Sequence, residues 1–447
     1  MKQLAKGFMS IILAILIAVL GFIIYGNVRH NMNVQEIEQI ENATPEPIIT
    51  TPTPTPTEPP IIEGENNIDI KLAICGDIVA HSGLVDEAKK SDGSYDFTAI
   101  MEGATPLVQS ADLALVTLET TFPNTTEYTG YPMFKSPAGL ATSLAATGFD
   151  VVNTANNHSM DAYQSGIIRT LDVLDENGLG HVGTYRTQEE RDANKGVYVR
   201  EVNGISMAFL SYTYGTNGLP VSGFEYAVNI FYKDYLTDLS DINYDMLREE
   251  MAYARSLGTD LIIPLVHWGH EYQTTPHPYQ NELADFLFAE GADIILGGHV
   301  HVPQPMELRR VTDNEGNEKT GFIVYCLGNF ISCQNDAYTN ITAALELSLR
   351  KSLDSGETYV RHVSYKPMFM VDLHDFDVMN AGWRYRLWDL NAAIAAYESG
   401  DNLGVINQRL YDTMKIDLER LHSILPPEFD EANGGVDVVE WTAANAS

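Results

Sequence analysis

Eight side chains of types that bind a metal or move a proton follow the ends of short apolar runs in this 447-residue chain. They are Asp77, Glu119, Asn157, His158, His267, His299, His301 and Asn329. The set mixes carboxylates, amides and imidazoles and contains no thiolate. Such donors suit Mn, Fe, Zn or Mg rather than copper. A carboxylate shared by two ions about 3.5–4 Å apart is the arrangement of two-metal hydrolases. Taken singly, each residue also has a bland reading. Asp77 could cap a helix, Asn156-Asn157-His158 is good turn chemistry, and His267 beside Trp268 could be a packed core histidine. The sharpest local signal is Gly298-His299-Val300-His301, which places two imidazoles two residues apart in a tight loop.

The elements that must position these groups are legible from hydrophobic period. Ile68, Ile70, Leu72 and Ile74 alternate, which predicts a strand ending at Gly76-Asp77. Leu113–Leu118 is an apolar run ending at Glu119, and Phe149–Asn153 leads into Asn157-His158. Ile205–Tyr212 is a further strand. Leu261–Val266 stops at His267, Asp293–Leu296 stops before His299, and Phe322–Cys326 stops before Asn329. Helices alternate with these runs. One opens at Ser136-Pro137 and closes at Gly148; another carries Ile167, Ile168, Leu171 and Leu174 on one stripe; others cover Asp241–Leu257 and Tyr279–Glu290. Alternating strands and helices predict an α/β fold with largely parallel strands, and ligands in such folds bind beyond the carboxyl ends of the strands. Six strand ends carrying Asp, Glu, Asn or His therefore read jointly as one metal centre.

In this order the residues resemble the calcineurin-like metallophosphatase superfamily. The longer strings are similar to its CapA family, proteins tied to poly-γ-glutamate capsule biosynthesis. They are NTANNHSMDAYQSGI from Asn153, HWGHEY from His267, GADIILGGHVHVPQP from Gly291 and YCLGNFIS from Tyr325. The resemblance implies a four-layer sandwich, two mixed sheets face to face with helices outside. It implies two divalent ions, Mn, Fe or Zn. Asp77 and His301 would bind the first, Asn157, His267 and His299 the second, and Glu119 would bridge them. His158 would act as the acid or transition-state stabiliser, with Asp161 beside it. Glu271 and Asn329 would support the ligands or position substrate. The chain also departs from the wider pattern. No histidine lies two residues after Asp77, although His81 lies four after it and is a substitute to consider. The carboxylate expected directly after Asn157-His158 is displaced to Asp161. A mononuclear site, or one specialised away from phosphoesters, stays open on these grounds.

The rest of the chain bounds where this chemistry happens. Phe8–Tyr25 is an uncharged apolar run of 18 residues preceded by Lys2 and Lys6. At about 1.5 Å per residue it nearly spans a bilayer core. The positive-inside bias predicts residues 1–30 as a cytoplasmic tip and transmembrane signal anchor, with everything downstream outside the cell. Residues 31–66 contain alternating Thr-Pro, which forms an extended spacer rather than helix or sheet. Residues 67–345 would form the metallophosphatase-like domain, and 346–447 a strand plus a helical extension ending in a loose acidic tail. Lys and Arg number 27 against 61 Asp and Glu, a net charge of −34. That excludes a nucleic-acid partner held by basic clusters. Only three cysteines occur and none is spaced as CxxC, which argues against a thiolate zinc site and excludes a disulfide framework, and a Cys326–Cys333 bridge is not favoured. Two functions fit this reading. One is an extracellular metal-dependent hydrolase acting on a phosphoester or on the amide bond of an anionic polymer. The other is a non-catalytic accessory subunit among capsule polymer synthesis and export proteins.

Overall fold

The computed structural model describes residues 66–445; the expected membrane anchor at 8–25 and the Thr/Pro spacer lie outside the described residues. Among the described residues no helix is long and apolar enough to cross a membrane.

In chain order the strands are β1 (Asn67–Ile78), β2 (Leu113–Leu118), β3 (Val151–Asn153), β4 (Gly180–Val182), β5 (Tyr198–Val202), β6 (Ile205–Thr213), β7 (Leu261–His267), β8 (Ile294–Gly298), β9 (Pro303–Thr312), β10 (Glu318–Leu327), β11 (Asn329–Ile331), β12 (Ile341–Ser352), β13 (Thr358–Asp372), β14 (Tyr385–Asp389) and β15 (Val436–Asp437). The first sheet runs β14-β13-β12-β1-β2-β3-β4, with β11 added beside β1 and β15 beside β13. Strands β1 to β4 are parallel, whereas β12, β13 and β14 are antiparallel. The second sheet runs β5-β6-β7-β8-β10-β9, with four parallel strands inside and antiparallel edges.

Period-two alternation sorts the side chains into layers. Ile70, Leu72 and Ile74 of β1 and Leu345, Leu347 and Leu349 of β12 face the second sheet, where Met207, Phe209, Ile263 and Leu265 meet them in one core. Ala73 and Cys75 point the other way, onto helices Gly139–Thr147 and Tyr163–Glu176 through Leu140, Leu144, Ile167 and Leu171. Ala208, Leu210 and Val266 of the second sheet pack outward on Leu247, Met251, Leu283 and Leu287 of helices Tyr244–Ser256 and Pro278–Ala289. The fold is thus α/β, two mixed sheets face to face and flanked by helices.

Several sequence expectations shift. The first strand runs on through Gly76-Asp77 to Ile78, because β11 gives Asp77 a new parallel partner in Asn329. The third-layer helix starts at Gly139, not at Ser136: the Ser136 N–H is drawn to the Thr121 carbonyl at 2.8 Å. Gly148 closes that helix as expected, with φ 112°. Strand β12 runs straight through the 345/346 boundary, and Leu390, Leu410, Met414 and Leu421 of the C-terminal helices join the central core. The tail is not loose as far as Asn445. Val436-Asp437 pairs with β13, and Asp437 caps helix Val438–Ala444. All three cysteines are free.

Candidate metal centre

The two sheets aim the ends of their parallel strands at one point. In the first sheet, register shifts between Ile74 and Asp77 of β1, and Asp77 then lies between Thr117 and Asn329. Glu119 follows β2 directly, with its N–H donating to the Ile78 carbonyl at 3.1 Å. After β3, Asn156 pins the loop. Its Nδ2 donates to the Leu118 carbonyl at 2.8 Å, and its Oδ1 accepts the His158 N–H at 3.0 Å. In the second sheet, His267 is the last residue of β7 and lies in register with Gly298 of β8. His299 and His301 then adopt φ of 101° and 65°. A side chain in that left-handed region costs on the order of 1–3 kcal/mol, and such strain concentrates at functional sites. Gly298 is required by closeness: a Cβ there would come within 2.7 Å of Asp77 Oδ1. The backbone N–H of His299 donates to Asp77 Oδ2 at 2.8 Å, so this close approach ties one sheet to the other.

Two groups of donors result. Glu119, His267 and His299 form one; Asp77, Glu119 and His301 form the other; within each group the ligand atoms lie within 4.8 Å of one another. Glu119 belongs to both. Its Oε1 is 3.6 Å from His267 Nε2, and its Oε2 is 3.9 Å from His301 Nδ1. Asn157 Oδ1 lies 2.7 Å from His267 Nε2 and adds an amide oxygen to the first group. All these residues are buried. Yet Asp77 Oδ1, both Glu119 oxygens, His267 Nδ1 and His299 Nδ1 have no hydrogen-bond partner. Orphaned buried polar atoms are costly, typically 1–3 kcal/mol each by rough estimate. The three unpartnered carboxylate oxygens of the two groups, Asp77 Oδ1 and both of Glu119, fit a cationic occupant. The donor chemistry, carboxylate, amide and imidazole, fits a divalent ion of the Mn, Fe or Zn type.

The electrostatics agree. Burial raises Asp77 to about 6, helped by the charge of Glu119. Burial also pushes Glu119 upward, but His301 and His267 outweigh it and hold the carboxyl at about 2. Burial and the neighbouring imidazoles push His299 well below its ordinary value. It is therefore the neutral imidazole that metals bind.

His158 stands beside the cluster, with Nε2 4.0 Å from Glu119 Oε1. Its Nδ1 meets Asp161 Oδ2 at 2.7 Å, and that oxygen also accepts the Phe134 N–H at 2.5 Å. Burial opposes charge on His158, but the bond to Asp161 and its negative charge prevail and raise the pKa. Asn329 Oδ1 faces His301 Nδ1 at 3.0 Å, and Asn329 Nδ2 donates to Ser332 Oγ and Gln334 Oε1. Glu271 is exposed at the mouth. His81 stays out of both donor groups. Its Nδ1 lies 2.9 Å from the Val79 carbonyl, and its ring packs edge-on against Phe134. Sequence reasoning missed Asn156, Tyr214 and Asn217. Tyr214 lies against the His299 ring at 4.6 Å, and Asn217 reaches both Asn157 and His158. Asn156 carried a signal in the Asn-Asn-His run; Tyr214 and Asn217 sit in a loop with no distinguishing pattern.

Residues 71–334 match the family model described as bacterial capsule synthesis protein PGA_cap. The chain belongs to this family. The matched span holds every donor named above. The PGA biosynthesis protein CapA of Bacillus subtilis (strain 168) is 32% identical over 209 residues, 47% of this chain and 49% of that protein. The capsule biosynthesis protein CapA of Bacillus anthracis is 32% identical over 233 residues, 51% of each chain. The chain spans about half the length of these curated relatives. A crystal structure described as a novel phosphatase from Mycoplasma pneumoniae aligns with a TM-score of 0.38 and 14% identity, covering 68% of this chain and 94% of that chain.

Proposed function

We propose that this PGA_cap-family protein is a membrane-anchored, extracellular metal-dependent hydrolase serving poly-γ-glutamate capsule biosynthesis. The observation that carries the hydrolase reading is Glu119, one buried carboxylate shared by two donor groups. Asp77 and His301 would hold one ion with it; His267, His299 and Asn157 would hold the other. Two such ions supply a water nucleophile at neutral pH and neutralise charge on the bond being cut. The protein's own groups do the rest. Asn329 fixes the His301 ring. Asp161 fixes the His158 ring through Nδ1, which leaves Nε2 facing the cluster to hold or pass a proton. Burial of the donors excludes bulk water and strengthens each of these interactions.

Two assays on the full-length protein test this reading. Elemental analysis is expected to give about two divalent ions per chain. Hydrolysis of bis(p-nitrophenyl) phosphate and of poly-γ-glutamate is expected from the loaded protein, and His158→Ala should keep the metal but lower turnover roughly 100-fold or more. Metal binding with neither substrate cleaved would remove the hydrolase reading. One observation favours the second reading, an accessory subunit of a polymer synthesis and export complex: the Asp77 group has only three donors, since His81 is engaged elsewhere. Under that reading Asp77→Ala and His158→Ala would still support capsule formation.

A further inference from the structure

An unbroken line of hydrogen bonds runs from the donor cluster to His158 through a residue on a different loop. Asn157 Oδ1 faces His267 Nε2 at 2.7 Å. Its other end, Nδ2, donates to Asn217 Oδ1 at 3.2 Å. Tyr214 Oη donates to the same Asn217 oxygen at 3.4 Å. Asn217 Nδ2 then lies 3.3 Å from His158 Nε2, and His158 Nδ1 lies 2.7 Å from Asp161 Oδ2. Asn217 is exposed, follows β6 by a few residues, and holds φ at 50°, next to Gly218 at 76°. Asparagine tolerates that left-handed backbone better than other side-chain-bearing residues.

Donors and acceptors along this line are not interchangeable. A carboxylate at Asp161 accepts, so Nδ1 of His158 carries a proton. An amide oxygen of Asn157 aimed at the cluster leaves Asn157 Nδ2 facing outward. The donor Asn157 Nδ2 then obliges Asn217 to present its oxygen, which the Tyr214 hydroxyl also meets. That leaves an Asn217 N–H aimed at His158 Nε2, which must accept. We propose that Asn217 is a positioning residue that ties the proton arrangement of His158 to the orientation of Asn157. With the Asn157 oxygen on the metal side, His158 is held with Nδ1 on Asp161 and Nε2 on the Asn217 amide beside the cluster. Asn217 thereby keeps the His158 ring oriented toward the cluster when substrate enters. The chemical role rests on the hydrolase reading; the hydrogen-bond relay itself does not.

Ring-nitrogen NMR of the full-length protein labelled with 15N-histidine, loaded with diamagnetic Zn2+, tests this without turnover. His158→Ala assigns the signal. The wild type is expected to show His158 as the Nδ1–H tautomer with a hydrogen-bonded Nε2. Asn217→Gly keeps the backbone conformation available and removes the amide, so the Nε2 signal should shift toward an unbonded acceptor or exchange between tautomers. Asn217→Asp reverses the demand: a carboxylate only accepts, so Nε2 should become protonated. A wild-type His158 that is already protonated at Nε2, or a His158 signal identical in all three proteins, overturns the proposal. Kinetics with bis(p-nitrophenyl) phosphate give the second readout. Asn217→Gly should lower kcat roughly 10- to 100-fold with KM little changed, the size expected from loss of an orienting contact. It should have no further effect in a His158→Ala background. Full additivity in that double variant overturns the proposal while the hydrolase reading stands. A wild type that binds Zn2+ but cleaves nothing removes the hydrolase reading, and the NMR outcomes still decide the relay.

Discussion

Replacing Asp77 by Asn should stabilise the metal-free protein and destabilise the metal-loaded one. Asp77 is fully buried, its Oδ1 has no partner, and burial with the Glu119 charge raises it to about 6 from an ordinary 3.8. That difference corresponds to about 3 kcal/mol. The folded-state value lies above the unfolded one, so protonation favours the fold. The contribution is fully present below pH 3.8 and is lost as pH rises through about 6. At pH 7.5 the metal-free wild type therefore carries a buried charge that the Asp77→Asn variant lacks. The substituted amide can still accept the His299 N–H that Asp77 Oδ2 now takes at 2.8 Å. Unfolding 380 described residues, at about 2.1 cal/mol/K each, gives roughly 0.8 kcal/mol per degree. Asp77→Asn should accordingly raise the melting temperature of chelator-treated protein by about 4 °C at pH 7.5 and by little at pH 4. With Mn2+ or Zn2+ in excess the order should invert. The wild type gains from ion binding, and the variant loses a ligand and much of that gain. Differential scanning fluorimetry at the two pH values, with and without chelator, reads all four cases. A variant no more stable than wild type at pH 7.5 without metal, or a gain equal at both pH values, would refute the reasoning.

Three further outcomes follow from the same geometry. Glu119→Ala should cost both ions, whereas His267→Ala and His301→Ala should each spare the other group, with affinity at the damaged group falling about 100-fold or more; elemental analysis after dialysis counts the ions. Asn329→Ala removes the acceptor facing His301 Nδ1 and should weaken one ion roughly 10- to 100-fold; because its amide also bonds Ser332, Gln334 and the Thr339 carbonyl, it should lower the melting temperature of the metal-free protein by roughly 1–4 °C as well. Gly76→Ala would set a Cβ 2.0 Å from the Gly328 carbonyl oxygen, a backbone atom that cannot turn away, and should cost about 3 kcal/mol in denaturant unfolding.

Much of this arrangement was legible because it rests on local rules. Alternation at Ile70, Leu72 and Ile74 named the buried face of β1, and polar residues at the ends of apolar runs named the donors. Sequence order did not reveal what depends on contact between distant segments. Asp77 lies inside β1 rather than beyond it, because β11, some 250 residues later, extends the pairing. The tail joins the sheet through Val436-Asp437, a two-residue pairing too short to carry a period. Asn217 falls in the turn Gly215-Thr216-Asn217-Gly218, where asparagine is ordinary, and only the meeting of the two sheets sets its amide between Asn157 and His158.

The departure at the first motif also acquires a physical meaning. The position two residues after Asp77 is Val79, which is fully buried and whose carbonyl faces His81 Nδ1. No imidazole enters the centre from β1, so the Asp77 group consists of two carboxylates and one imidazole. The other group pairs one carboxylate with two imidazoles and the Asn157 amide oxygen. Oxygen-rich, more negative surroundings favour a harder ion that keeps water ligands, and nitrogen-rich surroundings favour Zn or Fe. One imidazole on one side against two on the other makes the two donor groups chemically unequal. Because Glu119 belongs to both groups, an ion on either side would also fix the carboxylate that the other side needs. Under the two-ion reading the halves would thus be coupled through one side chain, and by linkage the coupling would be equal in both directions.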